Sequence, residues 1–253
     1  MFKKLLASVG IGSAKVDTYV LTEHLTPGAD CDLRVVIKAG DSVEQDINGL
    51  SLALCTSAKS EKEVGDSEVT VNETIVLGKW AINPQELGLH NGVLAAGQTI
   101  EQDLTIKLHD ETPVTDIAGS KSQVWIKTGL DIDMGLDSSD KDYLAIKPNP
   151  VQLNALNALH EMGYQLFKVD VEKGRLNGNG FSSSIPCYQE FELRRPSGLF
   201  SKSEVEISFV QLGHQVGILL EKDRFFGGDA YYSSIVPTSS SSSELKQLFE
   251  SWL

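Results

Sequence analysis

Basic residues are in short supply in this 253-residue chain: 22 Lys and Arg stand against 35 Asp and Glu, a formal net charge of −13. A sequence-independent nucleic-acid binder needs surplus cations to displace phosphate counterions, so that class is excluded. Broad docking on an anionic membrane is disfavoured on the same ground. Cysteine is scarce too: Cys31, Cys55 and Cys187 are odd in number and form no C-x-x-C pair, which fits a reducing compartment better than a disulfide framework. No apolar run approaches the ~18 residues of a transmembrane helix. The five histidines (His24, His90, His109, His160, His214) have no partners at i+2, i+3 or i+4, so no zinc signature forms. A G-x-S-x-G nucleophile elbow is missing, and no cysteine sits in a recognisable Cys/His context. Gly10-Ile11-Gly12-Ser13-Ala14-Lys15 lacks the spacing of a phosphate loop. The pattern gives catalysis no support, and neither a metal nor an organic cofactor is expected.

What the chain has is period two. Leu33, Val35 and Ile37 recur at every second position, as do Leu50, Leu52 and Leu54, then Val69 and Val71, then Leu104, Ile106 and Leu108, then Val124 and Ile126, then Leu130 and Ile132. Turn signals separate them: Pro27-Gly28-Ala29-Asp30, Ala39-Gly40-Asp41, Asn48-Gly49, Asn91-Gly92 and Ala96-Gly97-Gln98. Short alternating strands with almost no helix between them predict an antiparallel sandwich, one face buried and one wet. Further strands are expected over 165–171, 188–193, 205–210 and 216–220. At about 150 residues per domain, the length suits one large or two small domains.

Helical spacing appears three times. Phe2, Leu5, Leu6 and Val9 share one face of a short amphipathic helix. Lys3 and Lys4 beside it give only about 2 kcal/mol of attraction to an anionic surface, so at most weak membrane contact is expected. Asn149 and Pro150 open an internal helix as N-cap and first residue, with Leu153, Leu156, Leu159 and Met162 as its stripe and Gly163 as its stop. After Thr238 and Ser239 to Ser243, a polar linker, Leu245, Leu248, Phe249 and Trp252 form a third stripe, with Ser241 and Glu244 as a capping box. That stripe has three destinations: its own sandwich, which is favoured, a second copy in a homo-oligomer, or a groove on a partner. Phe2, Leu5 and Leu6 join it as candidate interaction residues. The expected division is 1–140, 141–237 and a tail at 238–253.

Asp131, Asp133, Asp137, Asp140 and Asp142 form an acidic stretch near that boundary. Calcium is one reading, but the glutamate at position twelve of a calcium loop is missing, and a polar inter-domain patch is preferred. The N-terminus also imitates a weak secretion signal. The alternative to a cytoplasmic protein is therefore a secreted carbohydrate-binding β-sandwich, with Trp80, Trp125 and Trp252 as a stacking platform. Against that stands plain core placement of Trp80 and Trp125.

Two dense blocks of the sequence carry a family likeness. The opening Phe2-Lys3-Lys4-Leu5-Leu6-Ala7-Ser8-Val9-Gly10-Ile11-Gly12-Ser13-Ala14-Lys15-Val16-Asp17-Thr18 resembles the start of the bacterial sporulation-control (SpoOM) proteins. So does Val124-Trp125-Ile126-Lys127-Thr128-Gly129-Leu130-Asp131-Ile132-Asp133, continuing through Asp140-Lys141-Asp142-Tyr143 and Ile146-Lys147-Pro148. The likeness runs to about residue 228. It implies an all-β, arrestin-like fold: two tandem antiparallel β-sandwich domains, with short N-terminal, internal and C-terminal helices. It also implies a non-enzymatic intracellular regulator or adaptor that works through protein-protein contacts with cytoplasmic partners. The chain departs from the family at Ala29-Asp30-Cys31, where a pair of glutamates usually follows Pro-Gly, and the tail after residue 238 has no match in it.

Overall fold

The computed structural model describes residues 13–64, 67–133, 137–196, 202–223 and 228–253. The helix expected over 2–9, with Phe2, Leu5 and Leu6, lies outside the described residues. The first sheet has three antiparallel strands in the order β1 (Lys15–Val20), β2 (Asp30–Lys38), β6 (Thr99–Lys107). Facing it, β3 (Gln45–Val64) pairs with β4 (Ser67–Ile82) and with β7 (Val124–Ile132), which pairs in turn with β8 (Ser138–Tyr143). The short β5 (Val93–Leu94) also pairs with β3. Strand alternation sends Leu33, Val35 and Ile37 of β2 and Leu50, Leu52 and Leu54 of β3 into one buried cluster with Ile126 and Leu130 of β7. This is the antiparallel sandwich that the period-two pattern predicts.

The second layer does not stop at the sandwich. Lys59 of β3 pairs in parallel with Glu172 of β9 (Gln165–Lys173). From there the sheet continues through β12 (Cys187–Pro196), β13 (Lys202–Leu212), β14 (Gln215–Lys222) and β15 (Ala230–Pro237). Between β9 and β12, β10 (Asn177–Gly178) and β11 (Phe181–Ser182) form a small hairpin. Its Phe181 ring lies so close to Gly217 that a Cβ there would come within 2.5 Å of it, so β14 needs glycine at this point.

A second buried cluster lies on one face of this extension. Phe191 and Leu193 of β12, Val205 and Ile207 of β13, and Ile218 and Leu220 of β14 meet α1 (Pro150–Glu161) and α2 (Ser242–Glu250). The all-β class with short helices holds, and the layer covering the second sheet is made of those helices. Asn149 caps α1 in a reciprocal box with Gln152, with Pro150 at the start as expected. The buried stripe of α1 differs from the expected one: Val151, Ala155, Leu156, Ala158 and Leu159 are buried, whereas Leu153 is 48% exposed. Ala155 and Ala158 are fully enclosed in the second cluster, and leucine spacing alone overlooked them. Residue 140, where the sequence suggested a boundary, falls inside β8, and Leu144 and Ile146 beyond it still pack in the first cluster.

Candidate functional site: charged rows on one sheet face

The tail stripe is consumed within the chain. Ser241 and Glu244 form the expected capping box of α2. Leu245 and Phe249 are buried in the second core, with Leu248 and Trp252 packed at its edge. Trp252 stacks on Tyr232, ring centroids 5.9 Å apart, and Lys246 pairs with Glu161 of α1 at 3.1 Å. As placed, Leu245 and Phe249 are internal packing and Leu248 and Trp252 line its edge, the favoured one of the three destinations. The tryptophans form no platform. Trp80 packs on the first core, Trp125 is 6% exposed on the outer side of β7 beneath Lys141, and Trp252 belongs to the second core.

The five aspartates are not gathered at a junction. The β7–β8 hairpin carries Asp131, Asp133 and Asp137 to its tip. Leu130 of that hairpin pairs with Leu50, nine residues along β3 from the Lys59–Glu172 link, a span of roughly 30 Å. There Asp131 accepts from Asn48 at 3.0 Å and Asp137 accepts from the Ile132 amide at 3.2 Å. Asp140 and Asp142 instead face the seam with β1, where Asp140 accepts the Thr18 amide at 2.8 Å. Burial, then the charge of Asp140, pushes the Asp142 carboxyl up to about 7.

A larger concentration of charge lies on the open face of the second sheet. Lys168, Glu192, Glu206 and Glu221 occupy directly paired positions on β9, β12, β13 and β14. Tyr231 of β15 ends the row and donates to Glu221 at 2.9 Å. The neighbouring row begins Asp170, Glu190, Ser208. Like charges directly opposite one another on paired strands destabilise a sheet. Burial and then the surrounding glutamates, Glu206 first, push Glu190 up to about 8. Burial followed by Glu221 and Glu192 pushes Glu206 up to about 7. Oxygens of Glu192, Glu204 and Glu206 lie within 4.8 Å of one another, as do those of Glu221, Asp223 and Asp229. Such oxygen sets suit a hard divalent cation. In the first set, however, Arg194 already bridges Glu192 at 2.5 Å and Glu204 at 2.6 Å.

At the link between the two cores, Lys59 and Lys168 both pair with the buried Asp170, and Lys59 lies 4.0 Å from Glu172. Alongside, Glu73 of β4 pairs with Lys62 at 3.1 Å and with Lys173 of β9 at 2.7 Å. Hydrogen bonds from Lys173 and Lys62 hold the Glu73 carboxyl down at about 2.

One serine–histidine pair could pass for a nucleophile and its base: Ser184 Oγ lies 3.4 Å from His109 Nε2. The roles are wrong for that. His109 Nδ1 accepts the Glu111 amide at 3.1 Å, which leaves the neutral ring's proton on Nε2. With Nδ1 accepting and Nε2 protonated, His109 has no lone pair free to take the serine proton, and Ser184 donates instead to Glu111 at 2.5 Å.

Comparison with known proteins decides the family. The family model described as SpoOM protein matches residues 2–226. This chain belongs to the SpoOM family. It is similar to sporulation-control protein spo0M of Bacillus subtilis (strain 168), with 31% identity over 227 residues that cover 88% of this chain and 80% of the relative. The crystal structure of the Bacillus subtilis Spo0M sporulation control protein superposes with a TM-score of 0.77 at 25% identity, covering 96% of this chain and 98% of that one. No helix among the described residues of this chain is long and apolar enough to cross a membrane.

Proposed function

We propose that this SpoOM protein is a non-enzymatic, cytoplasmic regulatory adaptor that acts through protein-protein contacts on the open face of its long sheet. The observation that carries this reading is the row Glu192–Glu206–Glu221. Glu192 is buried and already bridged by Arg194, so the row presents Glu206 and Glu221, whose facing like charges cost the fold stability, and a partner surface bearing cations offsets that cost on binding. The family relation supplies the regulatory role, and the occupied lone pair of His109 supports a role without catalysis. Contacts of this kind weaken as salt screens them, over a Debye length of about 10 Å at 0.1 M.

Affinity capture from cell extract with the full chain, compared with the Glu206→Gln, Glu221→Gln variant, tests the reading. The wild type retains a defined set of proteins at low salt that the double variant releases. If both proteins retain the same set, or if retention is unaffected by salt, the carboxylate face is not the contact surface.

A further inference from the structure

Toward the N-terminal sandwich, the same side of the sheet changes sign. Lys79 of β4 pairs with Ala53 of β3, Ala53 with Lys127 of β7, and Lys127 with Lys141 of β8. This places three exposed lysines in one row across the strands. The adjoining row is apolar and aromatic: Val76, Cys55, Trp125 and Tyr143, likewise in register. The Lys141 ammonium sits 4.0 Å from the Trp125 ring centroid and 4.6 Å from that of Tyr143. Val76 and Tyr143 remain 43% and 58% exposed. Among the described residues, none of the three lysines takes part in an ion pair.

The lysine row and the carboxylate row share one side of one sheet. Along β3 the residues on that side alternate from Ala53 and Cys55 to Lys59, whose ammonium reaches Asp170 and Glu172 of the carboxylate face. In a chain of net charge −13, this cationic strip stands apart from the acidic rows, Ala53 lying six residues, or roughly 20 Å, along β3 from Lys59.

We propose that the lysine–aromatic row of the N-terminal sandwich docks onto Glu206 and Glu221 of the carboxylate row of a second copy of this chain. Charge complementarity argues for that occupant. Both rows run across neighbouring strands, so their charges repeat with the same strand spacing of about 4.8 Å. Lys127 and Lys141 stand on adjacent strands, as do Glu206 and Glu221. Tyr143 and Val76 supply the exposed apolar area that such a contact needs beside its ion pairs, with the buried Trp125 packed beneath Lys141. The contact joins unlike rows of the same face, so one pair of copies stacked face to face about a two-fold axis makes it twice. The inference rests on the reading that the carboxylate face is a protein-contact surface, and it names the partner.

Sedimentation of the purified full chain at low and high salt tests it. The wild type self-associates at low salt and dissociates at high salt. Lys127→Glu with Lys141→Glu weakens association at least about tenfold, and so does Glu206→Lys with Glu221→Lys. An equimolar mixture of the two charge-reversed variants associates again, because one carries an intact carboxylate row and the other an intact lysine row. Thermal melts of each variant establish that it is folded. A wild type that stays monomeric at low salt overturns the proposal, as do folded variants that still self-associate or a mixture that stays monomeric. If partner capture by the carboxylate face survives while the purified chain stays monomeric, the self-contact falls and the adaptor reading stands.

Discussion

Thr18 of β1 and Thr128 of β7 share a hydrogen bond, their hydroxyls 2.7 Å apart in the closed space between the two sheets of the sandwich. Both residues are fully enclosed, at 1% and 0% exposure. Each hydroxyl is tolerable there because the other satisfies it. Thr128→Val leaves the Thr18 hydroxyl buried with its partner gone and lowers unfolding free energy by about 1–3 kcal/mol. The double Thr→Val variant removes both polar groups and restores most of that loss. Urea denaturation of the two single variants and the double variant measures it; a double variant as unstable as the sum of the singles shows that the pair does not act as a unit.

The carboxylate rows make the protein lose stability as the solution becomes more basic. Glu190 and Glu206 have folded-state values raised to about 8 and about 7 from 4.5, burial being the first cause and neighbouring glutamates the second. Below about pH 4.5 both states hold these protons and the groups have no effect. Between there and pH 8 the folded chain binds more protons than the unfolded chain, so unfolding free energy falls as pH rises. Asp142, raised to about 7, contributes with the same sign. Glu206→Gln removes two cross-strand repulsions and stabilises by about 1 kcal/mol at pH 8, with no effect at pH 4. Urea midpoints measured across that range decide it, and an equal effect at both pH values means that charge is not the cause.

Much of the fold is legible in the sequence because one buried face forces alternation. Leu33, Val35 and Ile37, or Leu50, Leu52 and Leu54, announce their strands through their own spacing, and each ends in the first core. The carboxylate row is different. Glu192, Glu206 and Glu221 each occupy an ordinary outward position, and only strand register brings them side by side. Part of that register is readable in the sequence: Gly213 and His214 make a two-residue turn between Leu212 and Gln215, and counting back from that pair places Glu206 opposite Glu221. The acidic run 131–142 misled for the converse reason. Its aspartates are close in sequence, but the β7–β8 hairpin sends some to its tip and others to the β1 seam.

The tail helix gives a stability prediction that separates packing from docking. Phe249 is completely enclosed and Leu245 nearly so, so Phe249→Ala costs about 3–5 kcal/mol. Ser241→Ala, which removes only the cap of α2, costs about 1 kcal/mol. Thermal and urea unfolding read both. A Phe249→Ala protein as stable as wild type means that the tail is detached in solution.

The sharpest electrostatic test lies at the link between the two cores. Asp170 is 5% exposed and paired with both Lys59 and Lys168. Burial acts to raise its carboxyl, but hydrogen bonds from Lys168 and Lys59 hold it below the usual carboxylate range. Its stabilising contribution is therefore present above the unfolded value of 3.8 and is lost as the pH falls through the lower folded value. Lys59→Met alone leaves Lys168 in place and costs about 1 kcal/mol. Lys59→Met with Lys168→Met leaves a buried carboxylate without a counter-charge and costs about 3–5 kcal/mol at neutral pH. That loss shrinks in acid, because the isolated carboxyl then takes up a proton, and Asp170→Asn added to the double variant recovers most of it at neutral pH. If the triple variant is no more stable than the double one, the lysines matter through packing of their alkyl chains and not through Asp170.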